Sequence, residues 1–133
     1  MNEWTMTWRD LVLSELPGRT RLVIRGKSMM PVVRPGDEVV VEPVRPEDLT
    51  AGDWVVVRAG EGALMHRYLG RRQGGLITKG DHHLALDPVW PTAALVGRVE
   101  EAWRGGDRYY QRGRTHRFAA GLLACGHLWI GTL

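Results

Sequence analysis

The chain has 133 residues, 44% of them hydrophobic and 25% charged, which fits one folded domain and leaves no room for a second of full size. Its 18 Lys and Arg against 15 Asp and Glu give a formal net charge of +3, too mild to argue for a nucleic-acid partner. The one cysteine, Cys125, excludes an intrachain disulfide, and its apolar surroundings read as those of a small buried hydrophobe.

In chain order, residues 1–18 come first. Trp4, Trp8, Leu11 and Val12 fall at i, i+4, i+7 and i+8, one face of an amphipathic helix that stops at Pro17-Gly18. That helix is expected to pack on the domain, with docking at a membrane surface or a partner as the alternative. Glu3, Arg9, Asp10 and Glu15 break any signal-peptide hydrophobic region, so the expected location is the cytoplasm, with a peripheral membrane site as the alternative.

Residues 19–112 read as a β core. The runs TRLVIRG, DEVVVEPV, DWVVVRA, ALMHRYLG and GLITKG, then ALVGRVEEAW and DRYYQR, are short strands. Pro-Gly-Asp at 35–37, Ala-Gly-Asp at 51–53 and Gly74-Gly75 mark turns between them. The pattern predicts a mainly β domain of antiparallel sheet with a short helix at each end. The basic run from Arg104 to Arg117, with Tyr109 and Tyr110 inside it, reads as a solvated hairpin face rather than a nucleic-acid surface. Residues 113–133 end in FAAGLLACGHLWIGTL, an apolar C-terminal helix that falls short of the roughly 20 residues a bilayer span needs.

The chemistry centres on RGKSMMP at 25–31. A serine attacks a carbonyl only with a base in reach and donors for the oxyanion. Gly26 allows close backbone approach, and Pro31 ends strand pairing, which predicts Ser28 at an exposed strand end facing a groove. Of the five histidines only His66 lies inside a β-type run, and a histidine, with an ordinary pKa near ~6.5, suits a base at neutral pH. Two carboxylates follow in TKGDHHLALDPVW, Asp81 and Asp87, and either can orient an imidazole. A rival reading gives His82, His83 and an aspartate to a metal ion, but adjacent strand histidines point to opposite faces, so no metal and no cofactor is expected.

Four boxes in order, GKSMMPVVRPGDEVVVEPV, AGDWVVVRAGEGALMHRYLG, LITKGDHHLALDPVW and LVGRV, resemble those of the signal peptidase I superfamily, which includes the self-cleaving SOS-response repressors. MHRYLG is similar to the box of the histidine-base subgroup, the endoplasmic-reticulum and archaeal signal peptidases, rather than to the lysine-base members. The resemblance implies coiled antiparallel β-sheets, Ser28 as nucleophile, His66 as base, and Asp87 as orienting acid with Asp81 as the second candidate. It further implies the Ser28 N–H as an oxyanion donor and Gly26, Lys27, Met29 and Pro31 along the oxyanion site and substrate groove. Gly26 stands where some members carry a second, hydroxyl donor. The charged residues 3–16 differ from the membrane anchor of signal peptidases, and residues 1–19 are too few for a repressor's DNA-binding domain. The expectation is therefore a soluble serine endopeptidase acting through an acyl-enzyme on a peptide or protein, such as a leader or precursor peptide, with a non-catalytic peptide-binding module as the alternative.

Overall fold

Each β-type run of the core forms a strand in the computed structural model, which describes residues 6–7 and 18–113. The strands are β1 Met6–Thr7, β2 Thr20–Val23, β3 Glu38–Glu42, β4 Trp54–Ala59, β5 Gly62–Arg72, β6 Gly75–Lys79, β7 Leu95–Arg104 and β8 Asp107–Gln111. Two short 3-10 turns, Pro46–Asp48 and Thr92–Ala94, join them without a signal in the sequence pattern.

All pairings are antiparallel, in the order β1-β5-β4-β7-β3-β2, with β6 on β5 and β8 on β7. The two longest strands make this possible. β5 pairs β4 over Gly62–Arg67 and β6 over Arg67–Arg72, while β7 holds β4, β3 and β8. Register shifts at Val40/Val41, Val56/Val57, Tyr68/Gly70 and Ala102/Trp103 bend the strands, as extra residues in a ladder do.

The sheet buries both of its faces. Trp54 and Val56 of β4 enter one core with Leu22, Val39, Met65 and Val99, whereas Val55 and Val57 enter a second with Leu64, Tyr68 and Leu76. A central strand covered on both sides needs apolar residues at successive positions, which is why β4 reads WVVVRA without alternation. Trp54 stacks on Tyr110 of β8 with ring centroids 4.1 Å apart.

The two Gly-Asp turns are more than turns. Each aspartate accepts the backbone N–H three residues before it, from Arg34 to Asp37 at 2.9 Å and from Thr50 to Asp53 at 2.8 Å. Both carboxylates are buried and take an arginine from the far hairpin, Arg104 on Asp37 and Arg112 on Asp53. Tyr109 donates its hydroxyl to Asp37 as well. The run from Arg104 is thus in part a structural anchor rather than only a solvated face, because the buried aspartates need cationic and hydrogen-bonding partners.

At its two described residues the expected N-terminal helix is a strand, Met6 and Thr7 pairing with Ala63 and Gly62. The edge of β5 offers unpaired backbone groups there, and pairing satisfies them. The rest of that helix and the expected helix at 113–133 lie outside the described residues. No helix among the described residues is long and apolar enough to cross a membrane.

Candidate active site

The site is assembled around His66, in the interior of β5. Alternation along the strand puts His66 on the face of Leu64 and Tyr68, and Arg67 on the opposite face with Met65. His66 is only 2% exposed, so its ring nitrogens need partners from the protein. One comes from the segment after β6. This segment turns back on the strand through an Asp87 N–H to Thr78 carbonyl bond of 2.9 Å and a reciprocal Leu76–Trp90 backbone pair.

That return brings Asp87 Oδ2 to 2.5 Å from His66 Nδ1. The same oxygen accepts the Thr78 hydroxyl at 2.5 Å, and Thr78 Oγ1 in turn accepts the Trp90 indole N–H at 2.8 Å. Trp90 leaves the Thr78 hydroxyl one direction in which to donate, and that direction is the carboxylate. Burial alone would raise the Asp87 carboxyl, but the hydrogen bonds from His66 and Thr78 hold it below its ordinary value. An ionised Asp87 accepts the Nδ1 proton, so the acceptor lone pair of the imidazole is on Nε2.

Asp81 goes elsewhere. It makes a two-pronged pair with Arg67, Oδ1 to Nε at 2.8 Å and Oδ2 to Nη2 at 2.7 Å, on the face of β5 away from His66. Arg67 also donates to the Gly52 carbonyl, which fixes the guanidinium between the two loops. Of the two candidate carboxylates the structure therefore brings Asp87 to His66, and Asp81 to Arg67.

Ser28 lies beyond the end of β2, in a turn closed by Met30 N–H to Lys27 carbonyl and Val33 N–H to Met29 carbonyl bonds. The Met30–Pro31 peptide bond in this turn is cis. Ser28 is 6% exposed, not the exposed strand end its flanking residues predict, because the segment after β6 covers it. His82 donates its N–H to the Ser28 carbonyl at 2.8 Å, while its side chain is exposed. Met29, expected along the groove, is instead a core side chain, and the Asp81 N–H points at its sulfur. Lys27 and Pro31 are exposed and Gly26 is half-buried.

Gly80 joins the two halves. A β-carbon there would meet His66 Nε2, His83 Nδ1 and the Ser28 carbonyl oxygen, each at 2.9 Å. All three groups crowd one side of Gly80, and only a residue without a side chain admits them. His66 Nε2 has no hydrogen-bond partner among the described residues and lies on the same side of Gly80 as the Ser28 carbonyl.

The family model for Peptidase S24-like proteins matches residues 2–78, more than half of the chain and a stretch that includes both Ser28 and His66. The chain belongs to the Peptidase S24-like family. It is thus a serine-peptidase-like protein, and its β architecture is that of a β-class peptidase. Asp87 and Trp90 lie outside the matched stretch. No curated protein and no solved structure gives a significant match.

Sequence reasoning missed three groups around His66, namely Thr78, Gly80 and Trp90, and gave His83 only to the rival metal reading. Thr78 had a signal, since alternation in GLITK sets it on the same face as the apolar Leu76. Gly80 and Trp90 had none, because their placement depends on how the segment after β6 returns. His83 lies edge-on to His66, with ring centroids 5.3 Å apart and planes at 86°. A donor atom from each of His66, His83 and Asp87 lies within 4.8 Å of the others. Lys79 is buried and donates to the Gly80 carbonyl at 3.2 Å.

Proposed function

We propose that this chain is a serine endopeptidase in which Ser28 is the nucleophile, His66 the general base and Asp87 the group that orients it. The observation that carries this reading is the 2.5 Å contact between Asp87 Oδ2 and His66 Nδ1, with Nε2 lacking a partner among the described residues and on the same side of Gly80 as the Ser28 carbonyl.

The chemistry follows from that tautomer. Nε2 takes the proton of the Ser28 hydroxyl as Oγ attacks the scissile carbonyl, and Asp87 stabilises the imidazolium that forms. The protonated Nε2 then gives its proton to the leaving amine, which breaks the peptide bond and leaves an acyl-enzyme on Ser28. Water, deprotonated by the same nitrogen, hydrolyses the ester and restores the serine. The Ser28 N–H is the assigned oxyanion donor, and such a donor contributes on the order of 3 kcal/mol to the barrier.

The substrate is an extended peptide segment. β2 ends the path of the sheet with one edge unpaired among the described residues, and the chain runs from it to Ser28. A peptide strand added to that edge would be carried toward the nucleophile, a common way for a sheet to recognise a chain. The reading places the protein with the histidine-base signal peptidases in mechanism, acting on a leader or precursor peptide.

The choice of base is tested by pH profiles of wild type and His66→Ala. A histidine base is expected to give activity that is lost on acidification, as the base nitrogen takes up a proton, and to leave the alanine variant inactive. Persistence of activity in His66→Ala, or an optimum far on the alkaline side, would assign the base to a lysine instead.

A further inference from the structure

We propose that His66 and His83 together form a binding site for a zinc-class divalent cation, which occupies the same nitrogen that serves as base and so inhibits the peptidase reversibly. The inhibition rests on the peptidase reading above, whereas the binding does not.

Three observations carry it. First, His66 Nε2 is buried, polar and without a hydrogen-bond partner among the described residues, while Nδ1 is committed to Asp87. An imidazole that donates one N–H to a carboxylate and offers its other nitrogen is the arrangement found behind metal-bound histidines, where the carboxylate fixes the tautomer and raises the ligand's basicity. Second, a second imidazole nitrogen faces the same place: His83 Nδ1 and His66 Nε2 each lie 2.9 Å from the position a Gly80 β-carbon would take. Third, one donor atom from each of His66, His83 and Asp87 lies within 4.8 Å of the others, so the two imidazoles and the carboxylate form one cluster.

The donor set selects the ion. Two imidazoles suit zinc, copper, nickel or cobalt, and they do not suit magnesium or calcium, which prefer oxygen ligands. His66 and His83 would bind the ion directly, Asp87 would stand behind His66, and water would complete the coordination. The adjacent histidine, His82, turns outward and takes no part. The Nε2 lone pair can receive the Ser28 proton or bind the cation, not both.

The test is a Co2+ titration of the untagged full chain, read by the visible absorption that changes when imidazole ligands replace water, followed by displacement with Zn2+. His82→Ala is expected to leave the affinity unchanged and His83→Ala to lower it by about 10-fold or more, as losing a group of a metal site does. With peptide substrate, Zn2+ is expected to inhibit the wild type, reversibly on chelation, and His83→Ala, measured against its own metal-free rate, is expected to need about 10-fold or more Zn2+ for the same fractional inhibition. Equal Co2+ affinity in wild type and His83→Ala, or Zn2+ that raises turnover, would overturn the proposal. Because the titration needs no turnover, failure of the peptidase reading would leave the Co2+ result to stand on its own.

Discussion

Asp87 holds His66 through a single carboxylate oxygen, Oδ2, 2.5 Å from Nδ1. The same oxygen takes the Thr78 hydroxyl, so the acid is itself held by β6. Replacing Asp87 with Asn keeps the shape but removes the charge and favours the wrong tautomer. The expected result is a fall in kcat on the order of 10^3 to 10^4-fold with the fold intact, measured by peptide turnover beside a thermal melt.

Asp81→Asn is the contrasting variant. Its carboxylate pairs with Arg67 at 2.7 and 2.8 Å on the other face of β5, which makes it a structural group. The expected cost is about 1 to 3 kcal/mol of stability in denaturant titration, with kcat of the folded protein nearly unchanged. A collapse of kcat in Asp81→Asn with Asp87→Asn active would reverse the two assignments.

Gly80→Ala is expected to lower activity by about 10^2-fold while adding one methyl group. The added carbon would lie 2.9 Å from both His66 Nε2 and the Ser28 carbonyl oxygen, so the imidazole or the serine turn must shift. A displacement near 1 Å at reacting groups costs about 10^2-fold in rate, to be measured as kcat at saturating peptide.

Acid stability depends on Asp37. Burial alone would raise its carboxyl, but Arg104, the Arg34 N–H and Tyr109 outweigh burial and hold it below the ordinary 3.8. A folded-state pKa below the unfolded one means stability that is present above the unfolded value and is lost as pH falls through the folded one. Asp37→Asn is therefore expected to melt lower than wild type at neutral pH, by about 1 to 3 kcal/mol in stability. The gap should stay constant down to pH near 4 and narrow below it, as thermal melts across pH would record.

Most of the sheet was legible because its signals are local. Runs such as DEVVVEPV and DWVVVRA, with Gly-Asp turns before them, carry strand and turn in neighbouring residues. Of the candidate site, sequence pointed to Ser28 and His66 because their residue types carry the chemistry. Sequence left Asp81 and Asp87 as alternatives because the choice rests on which face of β5 each reaches, a matter of how the segment after β6 folds back. The same long-range return hid the burial of Ser28 and the placement of Gly80 and Trp90. Asp37 and Asp53 were read as turn residues alone, since Arg104 and Arg112, which neutralise them, lie more than fifty residues away.

The most direct test of the account is cleavage of a peptide library by the wild type and by Ser28→Ala, with cut sites read by mass spectrometry. The account predicts a defined set of cuts that disappears completely in Ser28→Ala. Cuts that persist in the variant, at the same sites and rates, would contradict it.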